Sequence, residues 1–160
     1  MPDNVYLGNP NLKKANTAIE FTQEQILEFM RCKEDPVYFA NKYIKIVSLD
    51  EGLTQFHPYH FQEKLINNFH ENRFNICKMP RQTGKSTTVV SYLLHYAVFN
   101  DSVNIGILAN KAATARELLG RLQTAYENLP KWMQQGIIAW NKGSLELENG
   151  SKILAASTSA

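Results

Sequence analysis

Apolar residues recur at helical spacing in some stretches of the chain and form short continuous blocks in others, and the two patterns alternate. Thr22 opens the first helical stretch. Its hydroxyl can cap the free amides of a first turn, and Gln25 is correctly spaced to reciprocate as a capping-box partner. Ile26, Leu27, Phe29 and Met30 form the apolar face of this helix. Asp35-Pro36 is a second start signal, an N-cap residue followed by proline at the first helical position. Val37, Phe39, Ala40, Tyr43 and Ile44 fill that helix, and Asp50-Glu51-Gly52 marks a loop. His57-Pro58 begins a third helix to about His70, with Phe61, Leu65, Ile66 and Phe69 at helical spacing. Residues 1 to about 20 lack periodicity and read as an extended arm or linker.

The second half changes rhythm. Phe74–Lys78 is a short apolar run that predicts a strand, and Lys85–Phe99 predicts a helix. That helix is apolar nearly all round, with Val89, Val90, Leu93, Leu94, Ala97 and Val98, which predicts burial against a sheet. Val103–Ala109 is the next strand, and Lys111–Asn128 the next helix. Pro130 starts a short turn, and Ile137–Trp140 is a strand candidate. Ser144–Glu148 and Ser151–Ala156 flank Asn149-Gly150, a strong hairpin signal. Strands alternating with helices predict an α/β fold with a mostly parallel sheet, preceded by a helical segment and ending in a hairpin. The expected division is 1–57 for the arm and helical segment and 58–160 for the α/β part.

Composition adds little to this. The 160 residues are 44% hydrophobic and 20% charged, which is globular rather than disordered. A net charge of +2 is too mild to argue for a nucleic-acid partner by itself, and the basic residues are scattered. Cys32 and Cys77 form no CxxC pair and have no histidine cluster, so neither zinc nor a disulfide framework is expected. Cys77 lies in an apolar run, which predicts a buried, inert thiol. No signal peptide opens the chain and no apolar run is long enough to span a bilayer, so a soluble, intracellular protein is expected.

The candidate chemistry lies in Met79-Pro80-Arg81-Gln82-Thr83-Gly84-Lys85-Ser86-Thr87. A phosphate-binding P-loop has glycine, four residues, then Gly-Lys-Ser/Thr at a strand-to-helix joint. Gly84-Lys85-Ser86 fits the end of this motif, while Met79 stands where the first glycine is expected. Gly84 lets backbone amides wrap a phosphate, and the helix N-terminus adds its positive dipole end. Lys85 supplies a cation for the β- and γ-phosphates, and Ser86 a hydroxyl for Mg2+. ATP and Mg2+ are therefore the expected ligands. Arg81 is either a built-in arginine finger or a surface arginine paired with a carboxylate; spacing alone does not choose.

Phe61-Gln62 lies upstream on the third helix. A glutamine amide can read an adenine edge with one donor and one acceptor, and an aromatic beside it can wall off the base; most Phe-Gln pairs are simply core plus surface. The run Ile46–Glu51 imitates an apolar strand ending in Mg2+-binding acids. It precedes the loop, contains Ser48 and runs into Gly52, so it reads as a loop instead. No apolar strand ending in Asp-Glu follows Lys85, and Ala155–Ala160 carries no stop signal, so the sequence reads as the front part of a longer domain.

From Leu7 onward the chain resembles the large terminase subunit of T-even-type tailed phages. The matching pieces are GNPNLKKAN, VYFANKYIKI, FQEKLI, PRQTGKSTTVV, NIGILANKAATARELL and WNKGSLELENGSKI. The resemblance covers nearly the whole chain, and the family's loop also lacks its first glycine. It implies a RecA/helicase-like P-loop ATPase of the ASCE type, with Arg81 and Lys85 as catalytic residues. Phe61, Gln62, Pro80, Arg81, Gln82, Thr83, Gly84, Lys85, Ser86 and Thr87 would line the nucleotide site, with Ser86 on the metal. Val103–Leu119 looks like the strand and helix that help couple ATP turnover to DNA movement.

The implied function is ATP-driven translocation of double-stranded DNA into a preformed capsid, with cleavage by a C-terminal nuclease domain outside this sequence. Implied partners are DNA, the capsid portal protein and the small terminase subunit, in an oligomeric ring on the portal and without a membrane. The implied location is the host cytoplasm and transiently the portal, not the mature virion. Without the acidic strand, the 160 residues are expected to bind nucleotide poorly and hydrolyse it slowly or not at all. The competing readings are a superfamily-two-type helicase or translocase, which would unwind a duplex, and a non-catalytic nucleotide- or DNA-binding module. A P-loop kinase fits less well, since no lid or base-binding acid is visible.

Overall fold

A computed structural model describes residues 4–159. The chain begins with a small hairpin, β1 (Val5–Tyr6) and β2 (Asn9–Lys13). Leu7 and Gly8 form its turn at φ 45° and 77°, the two positive values that a tight two-residue hairpin turn requires. Helices α1 (Gln23–Glu34) and α2 (Pro36–Tyr43) follow. Their starts match the sequence signals. Thr22 and Gln25 form the reciprocal capping box, and Asp35 accepts from the Tyr38 amide with Pro36 in the first turn. Glu28 then clamps the two helices together by accepting from Tyr38 Oη, Lys42 Nζ and Tyr43 Oη.

The segment expected to be a loop around Asp50 is the tip of a second hairpin, β3 (Lys45–Ser48) with β4 (Gly52–Gln55). Asp50 and Glu51 sit exposed at that tip. Helix α3 (His60–Glu71) starts a little later than His57-Pro58 suggested, with Tyr59 at its N-cap. Helix α4 (Lys85–Phe99), strand β5 (Asn104–Ala109), helix α5 (Ala112–Glu127) and strands β6 (Ile137–Trp140), β7 (Ser144–Leu147) and β8 (Lys152–Ser157) complete the order. No helix among the described residues is long and apolar enough to cross a membrane.

Strands β5 to β8 form one sheet in the order β5-β8-β7-β6. Only β5 and β8 run parallel; β7 is antiparallel to both β8 and β6. The expectation of a mostly parallel sheet is thus corrected among the described residues. The cause is the Asn149-Gly150 hairpin, which lies inside the sheet and so places an antiparallel strand between β6 and β8. Its loop is three residues long, with Gly150 at φ 84° and Leu147 bonded to Ser151 through the main chain. Asn149 Nδ2 donates to the carbonyls of Ala97 and Asn100, which fixes the hairpin to the end of α4.

The core is one cluster that takes Leu12, Cys32, Phe39 and Ile44 together with Leu94, Ile107, Leu119 and Leu145. Helix α4 packs on α2, α3 and α5 rather than chiefly on the sheet, which is where its nearly all-round apolar surface is spent. His95 lies within this helical layer, edge-on to Phe39, with Nε2 2.8 Å from the Cys32 carbonyl. Burial holds its pKa down to about 4, against a smaller opposing effect of the Cys32 carbonyl.

Three further expectations fail. The N-terminal stretch is docked, not a free arm. Lys14 bridges to Ile137 beside β6, and the Lys13 amide donates to Gln134 Oε1 at 2.9 Å. Conversely, Phe74–Lys78 belongs to no strand, and Phe74 and Ile76 are exposed. Cys77 is exposed with them, which corrects the expectation of a buried thiol, whereas Cys32 is buried.

Candidate functional site

The unpaired segment Phe74–Lys78 delivers the chain to a turn at Arg81–Gly84, directly before α4. Two residues of this turn have left-handed backbone, Gln82 at φ 59° and Gly84 at φ 74°. Glycine bears that conformation without strain, while at Gln82 it is costly and must be held by neighbours. Gly84 is the N-cap of α4 and offers no side-chain cap. The amides of Lys85, Ser86 and Thr87 are therefore left without an intrahelical partner, and the first helix bond runs from Thr88 N to Gly84 O. An uncapped first turn of this kind favours an anion.

The side chains of the loop tie it to itself. Lys85 Nζ donates to Pro80 O at 2.6 Å and Met79 O at 3.4 Å. Thr83 Oγ1 also donates to Pro80 O, at 3.0 Å, and Thr88 Oγ1 to Gly84 O at 2.9 Å. Lys85 is thus folded back onto the start of the loop, with its ammonium on the Met79 and Pro80 carbonyls. Ser86 is exposed and Thr87 half-buried. Arg81 and Gln82 are exposed, and Arg81 forms no ion pair among the described residues.

Gln62 stands behind the loop. Only 4% of its surface is exposed. Its Oε1 accepts from the Tyr59 amide at 2.8 Å and its Nε2 donates to the Thr83 carbonyl at 3.3 Å. The structure brings Gln62 together with the loop, then, across the space between α3 and α4. Phe61, its neighbour in sequence, is exposed and stacks on Tyr59 with ring centroids 6.0 Å apart and planes 9° apart. Tyr59 was not singled out by the sequence. The only signal for it was an aromatic two positions before Phe61, beside a proline.

No group of three or more histidine, cysteine, aspartate or glutamate side chains able to hold a metal occurs among the described residues. Ser86 is the one metal candidate that the loop motif names.

The family model for the N-terminal part of T4-like-virus-type terminase large subunits matches residues 76–160, more than half of the chain. The chain belongs to this terminase family. The match begins inside the unpaired segment and takes in the loop, α4, α5 and all four strands of the larger sheet. Its role is accordingly that of a viral DNA-packaging terminase. The terminase match leaves the β1–β2 hairpin, α1, α2, the β3–β4 hairpin and all of α3 outside its bounds, and Gln62 with them.

Proposed function

We propose that the loop from Pro80 to Thr87 holds the triphosphate of Mg-ATP and that the protein is the ATPase part of the packaging terminase. The observation that carries this reading is the uncapped first turn of α4, which Lys85 opens while its ammonium is held on the loop carbonyls of Met79 and Pro80. These residues fit the group. Three amides lack partners, the ammonium has only neutral carbonyls to leave, and the Ser86 hydroxyl is open. Mg2+ supplies positive charge against the phosphate oxygens, and Ser86 would hold it. Lys85 would exchange its carbonyl partners for phosphate oxygens, and Arg81 would meet charge that develops in the transition state. The chain's own contribution is positioning and charge stabilisation.

The RecA/helicase-like ASCE architecture is part of the same proposal. So are translocation of double-stranded DNA, a nuclease elsewhere in the protein, and docking on the portal with a small subunit. The terminase family and the loop's place at the start of α4 support them.

The test is titration with Mg-ATP, read by the amide chemical shifts of residues 81–88, which detect weak binding. Shifts centred on Lys85–Thr87, and a loss of affinity of tenfold or more in Lys85→Ala with the melting temperature unchanged, are expected. Equal affinity in the variant overturns the assignment.

A further inference from the structure

Helix α1 is apolar on two sides. Phe29 and Cys32 turn inward: Phe29 packs edge-on to Phe99 with ring centroids 4.9 Å apart, and Cys32 is buried. Ile26, Leu27 and Met30 lie on the other side, at 51%, 66% and 48% exposure. With about 3.6 residues per turn, these three form one stripe about 100° wide, centred nearly opposite Cys32. Of the four apolar residues that helical spacing assigns to this helix, only Phe29 packs against the core. Single exposed apolar side chains are ordinary, but a continuous stripe opposite the packed face points to a partner.

We propose that the stripe docks against the same stripe of a second copy of this chain, with the two α1 helices antiparallel. The flanking charges select this occupant. Glu24 and Arg31 lie on one flank of the stripe, about two turns apart along the helix. Both are exposed, and neither forms an ion pair among the described residues. The Arg31 guanidinium carbon lies 3.8 Å from the centre of the Tyr38 ring, a stack that positions the head group and leaves its N–H edges to meet a carboxylate.

A two-fold axis beside Leu27 brings Glu24 of one copy next to Arg31 of the other, and does so twice. A parallel arrangement instead sets Glu24 against Glu24 and Arg31 against Arg31. The stripe is therefore complementary to itself in one direction only. Leu27 lies at the axis, with Ile26 and Met30 on either side of it. The 12 residues of α1 span about 18 Å, so the contact is smaller than a standard interface and the dimer is weak and concentration-dependent.

Sedimentation velocity between about 10 µM and about 500 µM protein reads the association. The wild-type chain should pass from monomer to dimer across that range. Leu27→Ser combined with Met30→Ser should weaken the dimer tenfold or more and leave the melting temperature unchanged, because both side chains face water in the monomer. Glu24→Arg and Arg31→Glu should each weaken it tenfold or more when studied alone. Mixed in equal amounts, these two variants should associate as tightly as the wild type, since each supplies the charge that the other has lost. Pairing through Phe74–Lys78 would be blind to all of these changes.

A wild-type chain that stays monomeric throughout overturns the proposal. So does an association that survives either charge reversal, or a mixture no tighter than its two components. Should a charge reversal unfold α1, seen as lost helical circular dichroism, the serine pair decides: an unchanged dimer in that variant overturns the proposal as well.

Discussion

The strand Asn9–Lys13 and the segment Phe74–Lys78 are both short, non-helical stretches, and they differ in what lies beside them. The first reads NPNLK, largely polar, yet Leu12 and Lys13 are buried at 1% and 8% exposure. The second reads FNICK, more apolar, yet Ile76 is 100% exposed. A buried main chain must have its amides and carbonyls answered. The first stretch finds those answers far away in sequence. Gln134 accepts from Lys13 N and donates to Asn11 O, Glu148 accepts from Asn16 N at 2.8 Å, and Lys13 Nζ reaches Glu148 at 3.3 Å. Gly136 has no Cβ because Ala15 Cα would be 2.4 Å from it. The second stretch has no strand beside it. A groove lined by Cys77, Val89, Tyr92, Leu93, Asn104 and Ile105 opens between it, α4 and β5. Burial here follows the supply of partners more closely than it follows composition.

The largest contrast concerns the thiols. Cys77 is exposed on the unpaired segment, while Cys32 is fully buried, and burial pushes its pKa up to about 12. A disulfide reagent should modify Cys77 at least ~10^3-fold faster, since Cys32 reacts only after local opening. Two thiols reacting at one rate under native conditions would remove the contrast.

Next in size is the docking of the N-terminal stretch. Leu12→Ala should cost about 2–4 kcal/mol through the cavity it leaves. Gln134→Leu should cost a similar amount, about 2–4 kcal/mol, because it strands buried partners on both sides of the contact. Urea denaturation measures both. A loss below 1 kcal/mol for either would mean that the stretch is not held as described.

Acid should weaken the same docking. Burial raises the Glu148 carboxyl, but hydrogen bonds at Asn16 and Gly136 and the Lys13 charge outweigh it, so the folded value lies below the ordinary 4.5. A depressed carboxylate stabilises above its unfolded value, and that contribution is lost as pH falls through the folded one. Protection of the amides of Lys14–Asn16 should therefore decline below about pH 4.5, and Glu148→Gln should flatten the decline. His95 adds a global effect over a higher window. Its folded value near 4 lies below 6.5, so stability falls as pH drops from 6.5 through 4. The histidine effect should survive in Glu148→Gln.

Signals in the sequence match the structure where the determinants are local. Thr22 with Gln25, and Asp35-Pro36, fix helix starts by bonds between residues three apart. Gly84-Lys85-Ser86 locates the loop, because an uncapped helix start needs only those residues. What stayed illegible depends on distant neighbours. The sheet direction turns on where the hairpin inserts, and the docked N-terminal stretch on Gln134 and Glu148. The Gln62 contact with Thr83 spans 21 residues, and nothing in the Phe-Gln pair announces it.

The smallest expected effect lies on the unpaired segment. Phe74→Ser combined with Ile76→Ser removes two large apolar side chains, a change that costs several kcal/mol in a core. Both side chains face water here, at 82% and 100% exposure, so little apolar burial is lost. The pair of substitutions should change stability by less than about 0.5 kcal/mol, as ordinary surface changes do. It should also reduce self-association, because exposed apolar side chains on an unpaired backbone invite pairing between chains. Urea denaturation and sedimentation check the two parts. A loss above 2 kcal/mol in the monomer would mean that the segment is packed in solution, and the opposition between the two stretches would then disappear.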